Sequence, residues 1–79
     1  MALDTSLKMG IVDISLMHIL RNKKKQSPKK TAKKIIDNCN AIFPPISSTQ
    51  EDFDHLINFI IEGNFTDIRQ WILEHYLSN

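Results

Sequence analysis

Chain-breaking residues divide this sequence into segments whose apolar side chains recur at helical spacing. Ser27 and Pro28 are typical of an N-cap and the first residue of a helix. Pro44 and Pro45 cannot continue a helical hydrogen-bond ladder, and Gly63 suits the left-handed position just after a helix. Between these points the apolar residues follow the i, i+3, i+4 rule of a buried helix face. The sequence therefore predicts an all-α chain.

The four helical segments predict a small four-helix bundle-like fold. We expect it to be a single domain over residues 1–79, because a chain of 79 residues buries only about 60–65% of its unfolded surface, around one core. Ser48 and Glu51 have the spacing of a capping box at the start of the third helix. Either Asn64 or Thr66 caps the fourth. The predicted helices cover residues 5–21, 28–43, 49–62 and 65–77.

The first helix has an apolar stripe that covers more than half of its circumference. Gly10 weakens its first turn, and the β-branched residues leave a strand at 11–16 as an alternative. Either this helix lies at the centre of the bundle, or part of it faces a partner. An exposed apolar face would favour a homodimer, which would compensate for a small core.

The net charge of +1 hides an asymmetry along the chain. Residues 1–40 have nine lysines and arginines against three aspartates (net +6), and residues 41–79 have one arginine against six acids (net −5). Such asymmetry indicates a polyanionic partner, two ends that attract each other, or simply solvated faces.

Eight cations, which we call the lysine cluster, lie around the start of the second helix. Lysines in a first helical turn oppose the helix dipole, and an anion bound there would remove the conflict. The alternative is an exposed face that promotes solubility. The cluster is our candidate site for an anion or an acidic partner, and its members are Arg21, Lys23, Lys24, Lys25, Lys29, Lys30, Lys33 and Lys34.

Nucleic acid is a weaker candidate for this cluster. Lysine lacks the planar fork with which arginine recognises guanine, and no aromatic residue is interleaved for base stacking. The expected mode would be contact with the phosphate backbone and a steep salt dependence.

A second candidate interface consists of Arg69, Trp71 and Tyr76, residue types that are enriched at binding hot spots. Trp71 and Tyr76 are five residues apart, so on an α-helix they cannot share one narrow face, and we expect one ring near the edge of the core. In so small a protein we expect Trp71 itself to be a core residue, with a place in the interface as the alternative.

The sequence offers little for catalysis or metal binding. His18, His55 and His75 lie on three different helices, Cys39 lies on the inward stripe of the second, and the two glycines form no phosphate loop. His75 has no second ligand at i+4. We expect no catalytic residue, no metal and no cofactor.

Location and function are inferred from composition and fold class. The chain has 42% hydrophobic residues, no apolar run near 20 residues, no secretory signal and one cysteine, which predicts a cytoplasmic globular protein without a membrane span. By analogy with other small bundles, we expect a non-enzymatic protein that binds another protein, as a regulator, inhibitor, immunity protein or adaptor. The alternative is a nucleic-acid-binding accessory protein without sequence specificity.

Overall fold

The computed structural model describes residues 4–77, and all of its regular elements are helical. The all-α prediction is therefore confirmed, and the alternative strand at 11–16 is wrong because one helix runs through it. A 3₁₀ turn, Lys23–Lys25, follows the first helix, and a π-helical turn, Leu73–Leu77, continues the fourth. The helices are α1 (Thr5–Arg21), α2 (Pro28–Ile42), α3 (Gln50–Glu62) and α4 (Phe65–Ile72).

The capping box of α3 lies one residue later than the sequence predicted. Thr49 Oγ1 accepts a hydrogen bond from the backbone N–H of Asp52 at 3.1 Å, and Asp52 Oδ2 accepts one from the N–H of Thr49 at 3.5 Å. Ser48 and Glu51 offer the same spacing, so spacing alone could not separate the two pairs. At α4 the cap is Asn64, whose side chain accepts from the N–H of Asp67 at 3.1 Å.

The predicted helix ends are close to the observed ones. α2 ends at Ile42, and Phe43 leads into the two prolines with an extended backbone. α3 ends at Glu62, and its C-cap is Gly63, whose φ of 71° is the left-handed conformation that glycine adopts without steric cost. Two residues, Gly63 and Asn64, separate the helices, so α3 and α4 form a tight helical hairpin.

The four helices share one apolar core. α1 contributes only one side of its wide apolar stripe to this core. In α2, the buried Thr31 is the polar exception, and its hydroxyl donates to the carbonyl of Ser27 at 3.2 Å. Between α4 and α1, the partly exposed Arg69 Nε donates to Asp13 Oδ1 at 2.9 Å. The buried apolar residues are Met9, Val12, Leu16, Ala32, Ile35, Cys39, Phe43, Leu56, Ile60, Ile68, Trp71, Ile72 and Tyr76.

The observed cap predicts unequal effects of two neighbouring substitutions. Thr49→Ala removes the acceptor for the N–H of Asp52 and should lower the free energy of unfolding by about 1 kcal/mol. Ser48→Ala removes a similar hydroxyl outside the cap and should change stability little. Urea denaturation followed by circular dichroism measures both, and an equal loss in the two variants would contradict the assignment of the cap.

Candidate functional site

Local backbone structure positions the lysine cluster around the start of α2. The 3₁₀ turn is closed by a hydrogen bond from the N–H of Lys25 to the carbonyl of Asn22 at 3.0 Å. Ser27 then caps α2, and its Oγ accepts from the N–H of Lys30 at 3.2 Å. Pro28 occupies the first helical position, as predicted. The chain therefore leaves α1, makes one 3₁₀ turn and enters α2, and the lysine cluster lies along this path.

The side chains of the lysine cluster are exposed wherever the structure describes them. The side chain of Lys23 lies outside the described residues. Lys29 and Lys33 are one turn apart on α2, as are Lys30 and Lys34, so all four lie on the face opposite the buried one. None of the ion pairs formed between described side chains involves the cluster. The structure therefore leaves these charges available to a partner, and binding by them stays a prediction.

The first turn of α2 is electrostatically unlike that of α3. α2 has no acidic residue in its first turn, whereas α3 has Glu51 and Asp52. Acids at a helix start interact favourably with the dipole, and lysines interact unfavourably. The acid of α2, Asp37, lies well beyond the first turn and on the lysine-bearing face. The start of α2 is thus stabilised by its Ser27 cap and Pro28 but not by its charges.

A depression of about 270 Å³ lies beside the lysine cluster. Its floor is apolar, because the C-terminal end of α3 contributes Ile60 and Ile61, and Ile61 is 62% exposed. Lys24, Gln26 and Pro28 form the side that belongs to the connector and to the start of α2. No sequence signal predicts this depression, because nothing in the local pattern brings the end of α3 to the connector.

A second depression of about 280 Å³ follows the last helical turns and is lined by Gln70, Leu73, Glu74 and Leu77. The Gln70 amide donates to Glu74 Oε1 at 3.3 Å, so its polar groups already satisfy each other. It contains no unpaired cation or catalytic group, and we do not include it in the candidate site.

The second predicted interface is not exposed as a unit. Trp71 is 3% exposed and Tyr76 6%, so both rings belong to the core. The indole N–H of Trp71 donates to the carbonyl of Asp52 at 2.9 Å, and the Tyr76 hydroxyl donates to Asn40 Oδ1 at 2.6 Å. Arg69 is partly exposed but is paired with Asp13. We therefore leave these three residues out of the candidate surface.

Trp71 lies in the core, as expected, but the expectation that one of the two rings lies near its edge was wrong, and the π-helical turn explains why. A π turn is closed by i→i+5 hydrogen bonds, so it is wider than an α turn and brings residues five apart toward the same face. Trp71 and Tyr76 have this spacing and both point inward. The Tyr76 ring also packs against Phe43 of the α2 end, with centroids 5.8 Å apart.

A small polar cluster joins α3 to the last turn of the chain. The His75 ring stacks on Trp71 with centroids 3.9 Å apart, and its Nδ1 lies 2.8 Å from the carbonyl oxygen of Trp71. Its Nε2 lies 3.5 Å from Asp52 Oδ2. Hydrogen bonding by the Thr49 side chain is the main cause that lowers the pKa of Asp52, and the neighbouring His75 lowers it further. These contacts connect the start of α3 to the chain's final turn.

The remaining reactive groups are dispersed or buried. Burial raises the pKa of the Cys39 thiol to about 12, so it is protonated and weakly nucleophilic at neutral pH. Burial also raises the pKa of Tyr76. In residues 4–77, no three His, Cys, Asp or Glu side chains come together as metal ligands. His18 and His55 are exposed on separate helices.

The comparisons with known proteins leave function open. The chain matches no protein-family model, no curated protein and no solved structure. None of the helices in the described part of the chain is both long and apolar enough to cross a bilayer. Inference about function therefore depends on the surface of this molecule alone.

The lowered pKa of Asp52 predicts a specific acid sensitivity. The folded state favours the charged carboxylate, so this contribution is present above the ordinary pKa near 3.8 and is lost as the pH falls through the lowered value. Asp52→Asn should flatten the fall of unfolding free energy between about pH 5 and pH 2. Thr49→Ala should flatten it in part, and urea titrations across this range test both. If the unfolding free energy of Asp52→Asn falls with decreasing pH as steeply as that of the unmodified chain, the prediction is contradicted.

Proposed function

We propose that this chain is a small non-enzymatic binding protein that uses the lysine cluster to hold an acidic segment of a protein partner. The observation that carries the proposal is the group of exposed, unpaired lysines on one face of α2, beginning in a first turn where acids would stabilise the helix. Because the dipole disfavours these charges, a bound carboxylate would relieve a local conflict. Opposite charges on the partner would also speed association and orient it.

The apolar depression supports a protein partner over a uniform polyanion. Hot spots of protein interfaces are well-packed apolar contacts, surrounded by polar groups that exclude water. Ile61 would provide such a contact, because it is exposed while its neighbour Ile60 belongs to the core, and Lys24 lines the same depression. The partner that suits this arrangement is an acidic segment with one large apolar side chain. That side chain would enter the depression while neighbouring carboxylates contact the lysines.

The dispersed histidines and the buried, protonated Cys39 support a binding role more than a catalytic one. A chemical step requires groups within hydrogen-bond reach of one another and of a substrate. The polar cluster of His75 and Asp52 already uses its atoms for contacts between α3 and the last turn. We assign no catalytic residue, and we place the protein in the cytoplasm as part of this proposal.

Neutralising the lysines should abolish capture of the partner and leave the fold intact. We expect Lys29→Gln, Lys30→Gln, Lys33→Gln and Lys34→Gln in one chain to keep helicity, because glutamine and lysine have similar helix propensity. The first-turn changes should also raise stability modestly, since two unfavourable charges are removed. The measurement is affinity capture from the native cell lysate, with quantitative mass spectrometry and thermal denaturation of both chains.

The matched control replaces the same four lysines with arginine and keeps every charge. It should retain the partner, because the proposal requires positive charge at these positions. Nuclease-treated and untreated lysates are compared, and random-sequence DNA and RNA are titrated at low and physiological salt. Full capture by the glutamine variant would overturn the assignment, and capture that nuclease abolishes would favour the nucleic-acid alternative.

The apolar depression has its own prediction. Ile61→Ser should weaken the captured complex about tenfold or more, because one large buried side-chain contact is lost. Ile14→Ser is the matched control, since Ile14 is 61% exposed and Ile61 is 62% exposed, but Ile14 lies on α1. Titration calorimetry with the captured partner measures both. Equal effects of the two variants would exclude the depression as the anchor site.

A further inference from the structure

α1 presents a second apolar face to solvent, separate from the face that it buries. Met9, Val12 and Leu16 point into the core, so they cannot cover the outer side. Six large apolar residues are exposed in residues 4–77, and four of them lie on this outer face of α1. Leu7 is 59% exposed, Ile11 43%, Ile14 61% and Met17 56%. Such a concentration on one helix is typical of an interaction surface.

The outer face has the spacing of a coiled-coil seam. Apolar residues that alternate at intervals of three and four form a stripe that packs against a second helix. On α1 and its cap this spacing of three and four residues continues from end to end, with a charged residue at each end. Three of the four inner positions are apolar, and the fourth is His18. The positions are Asp4, Leu7, Ile11, Ile14, His18 and Arg21.

We propose that this face pairs with the same face of a second copy of the chain, with the two helices antiparallel. Asp4 at the start of α1 and Arg21 at its end are both exposed and opposite in charge. When Ile11 lies opposite Ile14 of the second copy, Asp4 of each copy lies opposite Arg21 of the other. A parallel pair would instead place like charges together at both ends.

The antiparallel arrangement is favoured by two further properties of α1. Its helix dipole points opposite to that of the second copy, so unlike ends meet. A two-fold interface also repeats each favourable contact, because the same patch is used on both subunits. A helix of 17 residues is about 25 Å long, and the seam extends over its whole length.

Gly10 fits this interface, although packing among the described residues does not require a glycine at this position. Glycine is unfavourable inside a helix, and a Cβ added to Gly10 would meet nothing within 4 Å. Packing inside the chain therefore does not require a glycine there. At the edge of the seam, a missing side chain allows the second helix to approach closely. In the proposed register Gly10 lies beside Ser15 of the second copy, which is also small.

The oligomeric state of the full chain tests the pairing. We expect sedimentation equilibrium to show a dimer within a range from about 5 to about 500 µM, as suits a modest interface. Ile14→Lys places a charge in the seam and should weaken dimerisation at least tenfold. Ile61→Lys makes the same change at an equally exposed residue of α3 and should leave it unchanged.

A monomer throughout this concentration range would overturn the proposal and would leave the face to another protein. A dimer that is lost in Ile61→Lys but kept in Ile14→Lys would also overturn it. Circular dichroism of each variant confirms that helicity is kept, as expected for substitutions of exposed residues.

Disulfide cross-linking tests the direction of the helices without weakening the seam by a charge. Leu7→Cys alone should not cross-link, because the two copies of residue 7 would be about 16 Å apart along the antiparallel axis, beyond the limit of about 7 Å for a disulfide. A mixture of Leu7→Cys and His18→Cys chains should cross-link. Efficient cross-linking of Leu7→Cys with itself would show parallel helices and overturn the proposed direction.

The unmodified chain is the control for Cys39, which is buried. Pairing through α1 shares Arg21 with the lysine cluster, but the four lysines of α2 and the depression at Ile61 lie outside the seam. Ile14→Lys should lose the dimer and keep the captured partner, whereas the glutamine variant of α2 should do the reverse. The oligomeric state therefore tests the pairing of α1, and partner capture tests the lysine cluster.

Discussion

The whole structure depends on one constraint, which is that each helix must bury its apolar face against the other helices. Its α-helices are 8 to 17 residues long, and helices of this length are marginal in water when isolated. Each becomes stable only by placing its apolar stripe against the others, with Val12, Leu56 and Ile68 completely shielded from solvent. The core is small because the chain is short, and it uses one side of each helix. α1 has more apolar surface than the core can take, and the excess faces solvent.

The same need to bury apolar faces determines where the charged residues and the remaining apolar residues lie. Since the inner faces are committed to the core, the properties that distinguish this molecule lie on its outer faces. α2 presents lysines there, α1 presents Leu7, Ile11, Ile14 and Met17, and the end of α3 adds Ile61 beside the connector. The polar side chains near the core are satisfied locally, and no described buried side-chain polar atom is left without a partner. These outer faces are therefore the regions available for function.

The sequence predicted the helices well because their signals are local. Ser27, Pro28, Gly63 and the apolar spacing act within one or two turns, and the structure places the helix ends within about a residue of the expected positions. It could not choose between Ser48 and Thr49 as the cap, since both have an acid three residues later. It also misjudged Tyr76, because a π turn depends on tertiary contacts with Asn40 and Phe43. The depression at Ile61 requires two segments that only the fold brings together.

The π turn at Leu73–Leu77 also determines which length changes the end of the chain can accept. The wider π turn is needed to bring the Tyr76 hydroxyl within hydrogen-bond distance of Asn40 Oδ1 while Trp71 stays in the core. Deleting one residue there would tighten the helix and rotate the tyrosine toward solvent, so its phenol would lose its acceptor. An added residue in the loop between α2 and α3 has a smaller geometric penalty, because that loop is irregular and, apart from the partly buried Ile46, exposed. Natural length variation should therefore concentrate between Pro44 and Ser48 and avoid the last turn.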